Sequence, residues 1–555
     1  MSGNATTSMR RVAGTAALGL GGLVLGVGLA VPSSLLGRPG TRTLFLSFEV
    51  GVALIALAAS ARSGSRTRAT AWVRRLIVAL YSLLLLFLFY EYLFAATYHR
   101  DPALIEDWRF AINLVHFLSE MRSWRWHAFI WGSVLGAIVF VVLLGRFLAA
   151  FQRRMRDVPR RSLHVVAALW IVLGGISATL GGPIRFAGKD VVANYHASVA
   201  TRARLAELRE KKHDDRYEPL MKVRLARRPS FYFLVIEAYG QVLSTWDMTE
   251  SYRALMARAQ SRLEASGYKM RTAYSTAPVH GGRSWLSTST MQTGILIDQP
   301  TSYAAFEAAA RRIPTLAGFF KEQGYHTASL EPGTKSRVGV SDGDLYAHET
   351  RVDGTRLAYS GPQYGFGGIP DQYSLETFRT RFLPAIEEPR YLFFMSVSTH
   401  FPWTEETVPS FQGGADWPPL AGAEAIGSDL RRWYMRSVEY DWRAVLDLLE
   451  ADRSPDIVVV ILGDHQPRLE SNQPGEATLD APVHVLSRDG AFVDSFTARG
   501  FDPGLYAEPG RREPLVHEGL FSLLVTELAM AYGTPETKWL ARYYPKGISV
   551  GGLNQ

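Results

Sequence analysis

The stretch Asp456-Ile457-Val458-Val459-Val460-Ile461-Leu462-Gly463-Asp464-His465-Gln466-Pro467 decides how the second half of the chain is read. An unbroken aliphatic run predicts a strand that is apolar on both faces, the pattern of a parallel strand buried between layers. Glycine ends the run, and an acid and an imidazole follow at once. In open α/β sheets ligands collect beyond the carboxyl ends of the strands, so Asp464 and His465 stand where chemistry is expected.

The same grammar recurs outward from this strand. Phe231–Ile236 is an apolar run followed by Glu237, and Tyr391–Val397 is followed by Ser398, Thr399 and His400. His326–Leu330 and Ala481–Leu486 read as further strands, the latter carrying a structural His484. Helical patterns cover Ile313–Gly324 and Leu430–Glu450, and His517–Met530 reads as a closing amphipathic helix. Apolar strands spaced by helices predict an α/β domain with a mostly parallel central sheet covered by helices on both faces. Glu237, Asp464 and His465 at one sheet edge form a mixed oxygen and nitrogen donor set for a divalent cation such as manganese or zinc.

Between the first strand and the Ile313 helix lies Ala277-Pro278-Val279-His280-Gly281-Gly282-Arg283-Ser284-Trp285-Leu286-Ser287-Thr288. The Gly-Gly pair allows a tight turn and close approach of backbone to ligand. Ser284 then opens a helix, where free N–H groups favour a bound anion. Contact with the cation would lower its hydroxyl pKa and make it a nucleophile. The alternatives are a plain helix cap at Ser284, or Ser287, Ser289 or Thr290 as the nucleophile. His280 reads as a loop residue. Lys335, Ser336 and Arg337 form either a phosphate contact or a solvated loop, and Tyr359–Pro370, rich in glycine and aromatics, reads as a substrate loop.

Across its 555 residues the chain has no cysteine, which excludes a disulfide framework, a thiol nucleophile and cysteine-held zinc or iron–sulfur centres. Residues 1–200 hold 21 Lys and Arg against 8 Asp and Glu, whereas the remainder is net acidic. The basic surplus lies between apolar runs, which points to a membrane and away from nucleic acid. Five such runs, Ala13–Leu36, Thr43–Ser60, Leu76–Thr97, Ala128–Phe151 and Leu163–Gly182, are about long enough to cross a bilayer of ~30 Å. The first follows Arg10 and Arg11; it is read as a span, not a signal peptide, because it is long and others follow. Arginines crowd Arg62–Arg75 and Arg153–Arg161, so these loops and the N-terminus are expected in the cytoplasm and everything after Gly182 outside. Trp108, Trp124 and Trp126 in the Tyr98–His127 loop anchor at the interface or guide a lipid. The expected division is a five-helix transmembrane domain over 1–182, a juxtamembrane linker with a helix at Asp190–Lys212 over 183–229, and an extracytoplasmic domain over 230–555.

At these residues the chain resembles the alkaline phosphatase/sulfatase superfamily, and within it the lipoteichoic acid synthase-like phosphoglycerol transferases and membrane phosphoethanolamine transferases. The resemblance rests on Leu234-Val235-Ile236-Glu237, Gly282-Arg283-Ser284, Thr399-His400-Phe401-Pro402 and Leu462–Pro467, in the family's order. It implies Glu237, Asp464 and His465 as metal ligands, and Ser284 as both nucleophile and fourth ligand. His400 would bind the substrate phosphate or protonate the leaving group, with Arg283 assisting. It implies one divalent metal ion, Mn2+ or Zn2+ with Mg2+ a further candidate, a phospholipid donor, an envelope glycan, lipid or polymer acceptor, and a place in the bacterial cytoplasmic membrane. Threonine is common where Ser284 stands. The Pro and Arg of the sulfatase formylglycine signal are missing after Ser284, so that chemistry is not expected. A hydrolase using the same site with water as acceptor is the alternative, and a metal-free scaffold the reading from another class.

Overall fold

The structure, a computed structural model, describes residues 46–61, 68–98, 124–199 and 216–548 apart from short stretches, among them 335–344 and 470–477. The expected first span, most of the Asp190–Lys212 helix, the loop ahead of Trp124 and Lys335–Arg337 lie outside the described residues. The chain divides into two compact units, Met1–Arg202 and Ala203–Gln555.

The first unit is helical: α1 (Phe48–Ser60), α2 (Arg68–Tyr98), α3 (Trp124–Arg154) and α4 (Arg160–Leu180). Three windows, Ala69–Tyr90, Ile130–Arg154 and Arg160–Leu180, are long and apolar enough to cross a membrane, with mean hydropathies of 1.9, 2.5 and 2.0. Their outer faces show leucines such as Leu76, Leu83 and Leu169. Helix α1 has 13 residues. At ~1.5 Å per residue it falls short of a ~30 Å core. The expected Thr43–Ser60 span is therefore only partly helical: Ser47 caps the helix, and Leu46–Ser47 pairs with Ile184–Arg185.

The second unit is an α/β domain around a nine-stranded mixed sheet. Its strands are β1 (Ser230–Ile236), β2 (Lys269–Thr276), β3 (His326–Glu331), β4 (Thr350–Asp353), β5 (Arg390–Met395), β6 (Ile457–Gly463), β7 (Asp480–Ser487), β8 (Asp502–Pro503) and β9 (Leu515–Val516). The order is β8-β2-β7-β6-β1-β5-β3-β4, with β9 on β2. From β6 to β4 all neighbours are parallel. Beyond β6 the sheet turns antiparallel, at β6–β7, β7–β2 and β2–β8. The sheet is thus mixed where a mostly parallel one is expected, because the polar, alternating strand β2 (Lys269–Thr276) gives no apolar run to read.

Continuous apolar strands feed two cores. In β1, Tyr232, Leu234 and Ile236 face one side, and Phe231, Phe233 and Val235 the other; β6 splits its residues likewise. The first face is covered by α5 (Thr249–Ala265), α8 (Asp371–Thr377) and α9 (Asp429–Ala451), through Leu255, Leu375, Val438 and Trp442. The second is covered by α6 (Ser284–Thr293), α7 (Leu316–Glu322) and α10 (His517–Tyr532), through Leu286, Phe320 and Leu524. Burying one such aliphatic side chain contributes about 1.5–3 kcal/mol.

Candidate active site

Register builds the site. Strands β1 and β6 are hydrogen-bonded neighbours with Ile236 opposite Gly463, so Glu237 and Asp464, the next residues, leave the sheet side by side. Gly463 is required there: a Cβ would come 1.8 Å from the Tyr239 carbonyl oxygen. Asp464 Oδ1 accepts from the N–H groups of Ala238 (2.8 Å) and His465 (2.9 Å). Its Oδ2 is buried and has no hydrogen-bond partner among the described residues. His465 Nδ1 donates to the Gln466 carbonyl at 2.9 Å, which leaves Nε2 as the donor atom toward the site. Nε2 lies 3.3 Å from both Glu237 Oε1 and Asp464 Oδ2.

Ser284 enters from the turn ahead of α6. Gly281, Gly282 and Arg283 are all left-handed, with φ of 59°, 102° and 67°. For the two glycines this costs little; for Arg283 it is strained backbone held at a functional turn. The turn is tied down by Gly281 N–H to the Gln466 carbonyl (3.0 Å) and by Gly282 N–H to His465 Nε2 (3.0 Å). Ser284 is the first residue of α6 and does not cap it. Instead its hydroxyl donates to Glu237 Oε2 at 2.5 Å and lies 3.3 Å from His465 Nε2. Of the serines and threonines considered, Ser284 is the one joined to this cluster; Ser289 and Thr290 bond within their own neighbourhood.

Glu237, Asp464 and His465 are buried, with ligand atoms within 4.8 Å of one another. Burial opposes each charge. At Glu237 burial is the largest single effect, but the His465 charge and hydrogen bond, the His400 charge and the Ser284 hydroxyl together outweigh it and hold that carboxyl at about 2. Asp464, buried and facing Glu237, rises to about 7. His465 is raised to about 9 because Asp464 and Glu237 outweigh its burial. Two carboxylates and an imidazole crowded in this way call for positive charge. The unpartnered Asp464 Oδ2 and the outward His465 Nε2 suit a divalent cation bound by oxygen and nitrogen.

His400 follows β5 and is half-buried. Its Nδ1 donates to the Phe401 carbonyl at 2.6 Å, so Nε2 is the ring nitrogen not engaged in that bond. Its ring stacks on Phe366 at 4.1 Å, which brings the Tyr359–Pro370 loop against it. The His400 charge is felt at Glu237. Arg283 is buried. His280 bridges to Gln466 beside the turn.

Two histidines support the site from outside it. His517, which opens α10, donates from Nε2 to the Gly463 carbonyl (3.1 Å) and accepts at Nδ1 from Ser275 (2.8 Å). It therefore fixes the strand end that carries Asp464, a long-range contact with no local signal. His484 is fully buried between Tyr239 (3.0 Å) and Thr272 (2.7 Å), as its strand position predicts.

Residues 249–491 match the Sulfatase family model. Glu237 precedes the matched segment. No curated protein matches the sequence. Similar solved structures include the lipoteichoic acid synthase LtaP from Listeria monocytogenes, at 14% identity and TM-score 0.37 over 60% of this chain and 80% of that one. The phosphoglycerol transferase GacH from Streptococcus pyogenes in complex with sn-glycerol-1-phosphate is similar at 11% and 0.37, over 64% and 87%. The C-terminal periplasmic domain of EcEptC from Escherichia coli in complex with Zn is similar at 14% and 0.35, over 56% and 84%.

Proposed function

We propose that this chain is a membrane-bound phosphotransferase that moves a phosphoglycerol- or phosphoethanolamine-type group from a phospholipid to a hydroxyl of an envelope glycan, lipid or polymer. The observation that carries this reading is the Ser284 hydroxyl at the start of α6, bonded to Glu237 inside the Glu237–Asp464–His465 cluster.

Ser284 gives up its proton toward Glu237, and its oxygen attacks the headgroup phosphorus. A Ser284 O–P bond forms and the O–P bond to diacylglycerol breaks. His400 Nε2 gives a proton to the departing diacylglycerol oxygen and takes one from the acceptor hydroxyl in the second half, a role worth about 10²–10⁴-fold. The acceptor oxygen then displaces Ser284. The first N–H groups of α6 favour the phosphoryl charge. A divalent cation held by Glu237, Asp464, His465 and Ser284 Oγ, manganese or zinc by donor type, would lower the serine hydroxyl pKa and neutralise phosphoryl oxygen charge. Arg283 adds a cation next to the nucleophile. The membrane-capable helices and their arginine-rich ends support a bacterial cytoplasmic membrane protein, N-terminus inside and the domain from residue 230 outside, with 183–229 as linker.

The test is reconstitution in vesicles containing phosphatidylglycerol labelled in its headgroup. Mass spectrometry should find a glycerophosphoryl adduct on the Ser284 peptide and a modified acceptor. Free glycerophosphate as sole product would make the chain a hydrolase, and turnover by Ser284→Ala would remove the nucleophile.

A further inference from the structure

Behind the turn that carries His400 lie two buried carboxyls that the proposed reaction does not use. Asp371 opens α8, and Asp441 sits midway along α9. Their exposures are 0% and 1%. Neither has an ion-pair partner among the described residues, and each leaves Oδ1 without any hydrogen bond to another group. The helices that carry the two carboxyls pack together, and each carboxyl acts on the other's ionisation.

Their remaining oxygens grip the turn after β5 from opposite sides. Asp371 Oδ2 accepts from the N–H groups of Val397 (2.8 Å) and Ser398 (2.5 Å), and the Asp371 N–H donates to Ser398 Oγ (3.0 Å). Asp441 Oδ2 accepts from Thr399 Oγ1 at 3.1 Å, and Thr399 Oγ1 lies 3.2 Å from Ser396 Oγ. Ser396 Oγ accepts in turn from the Glu237 N–H at 2.9 Å. Residues 396–399 are thus held on one side by the acid pair and on the other by the ligand strand, and His400 is the next residue.

Two buried carboxylates facing each other cannot readily both be ionised, whereas one proton between them turns repulsion into a strong hydrogen bond. Burial acts the same way on Asp371, whose pKa is pushed up to about 6. We propose that Asp371 and Asp441 share one proton and form a positioning pair that locks the Ser396–Thr399 turn and so aims the His400 imidazole at the Ser284 centre. The aiming role rests on the His400 function proposed above; the shared proton does not.

Infrared difference spectra of the purified full chain test the proton. The parent at neutral pH should show the C=O stretch of a protonated, buried carboxyl that disappears in both Asp371→Asn and Asp441→Asn. Persistence of every carboxyl band in either variant overturns the shared proton. Turnover tests the aim. Asp441→Asn keeps a donor toward Asp371 and an acceptor for Thr399, and should retain kcat within about threefold. Asp441→Leu keeps the volume alone, and should lose kcat about tenfold or more with KM for the donor lipid nearly unchanged. Thr399→Val, close in shape, cuts Asp441 alone from the turn; it should lose as much as Asp441→Leu while keeping the infrared band. In a His400→Ala background these losses should vanish. Equal losses for the Asn and Leu variants, or undiminished further losses without His400, would mean a general structural role and overturn the aim. Parent-level turnover by His400→Ala would remove the His400 function and the aim together, leaving the infrared result and the Ser284 chemistry standing.

Discussion

A single hydroxyl separates this site from an ordinary helix start. Ser284 occupies the first position of α6, yet it spends its hydrogen bond on Glu237, not on the helix. Ser284→Ala should therefore abolish transfer while leaving the fold intact, and Ser284→Thr should keep at least about a tenth of the rate, since threonine offers the same oxygen at the cost of one methyl. Product analysis checks both. Two glycines are equally tied to the chemistry. Gly463→Ala would drive a methyl into the Tyr239 carbonyl and should cost about 3 kcal/mol, measured by thermal unfolding. Gly282→Ala, at φ 102°, should displace the N–H that faces His465 and lower turnover more than it lowers stability. Removal of divalent ions by EDTA should stop transfer, and manganese or zinc should restore it. Because His465 and Asp464 titrate near 9 and 7 without a cation, apparent metal affinity should fall as pH drops through both values, measured by equilibrium dialysis.

At the level of elements, what could be read in advance was what is written in consecutive residues. Strands β1, β5 and β6 announce themselves because both of their faces are buried in apolar cores, so no polar residue interrupts their runs. Glu237, His400, Asp464 and His465 were legible for the same reason, standing directly at the ends of those strands. Strand β2 was not, since Lys269, Arg271 and Thr272 break its apolar pattern, and with it went the antiparallel side of the sheet. Asp371 and Asp441 were also hidden: 70 positions apart in sequence, each looks like a helix acid until α8 and α9 pack together. Strand β7 makes an acid-stability prediction. Burial depresses the His484 pKa to about 3, far below its value of about 6.5 in the unfolded chain. The unfolded state thus binds the proton first, and stability present above pH ~6.5 drains away as pH falls toward ~3. The unfolding midpoint should fall across that window, less steeply in His484→Gln.

For the molecule as a whole, the absence of cysteine makes topology directly measurable. A single cysteine introduced at Arg156 should react with a membrane-impermeant maleimide only after the cells are opened, and one at Glu405 should react in intact cells. The reverse pattern would place the α/β domain in the cytoplasm. The register of β1 against β6 has a consequence for how the protein is made. Glu237 and Asp464 meet only because strands more than 200 residues apart zip together, and closing so long a loop is slow. A chain still being synthesised past residue 400 already contains Ser284 and Glu237 but lacks Asp464 and His465, without which the cluster is not closed. On the proposed reading competence therefore arrives only with the last ligand strand, and an unfinished copy should leave its donor lipids untouched.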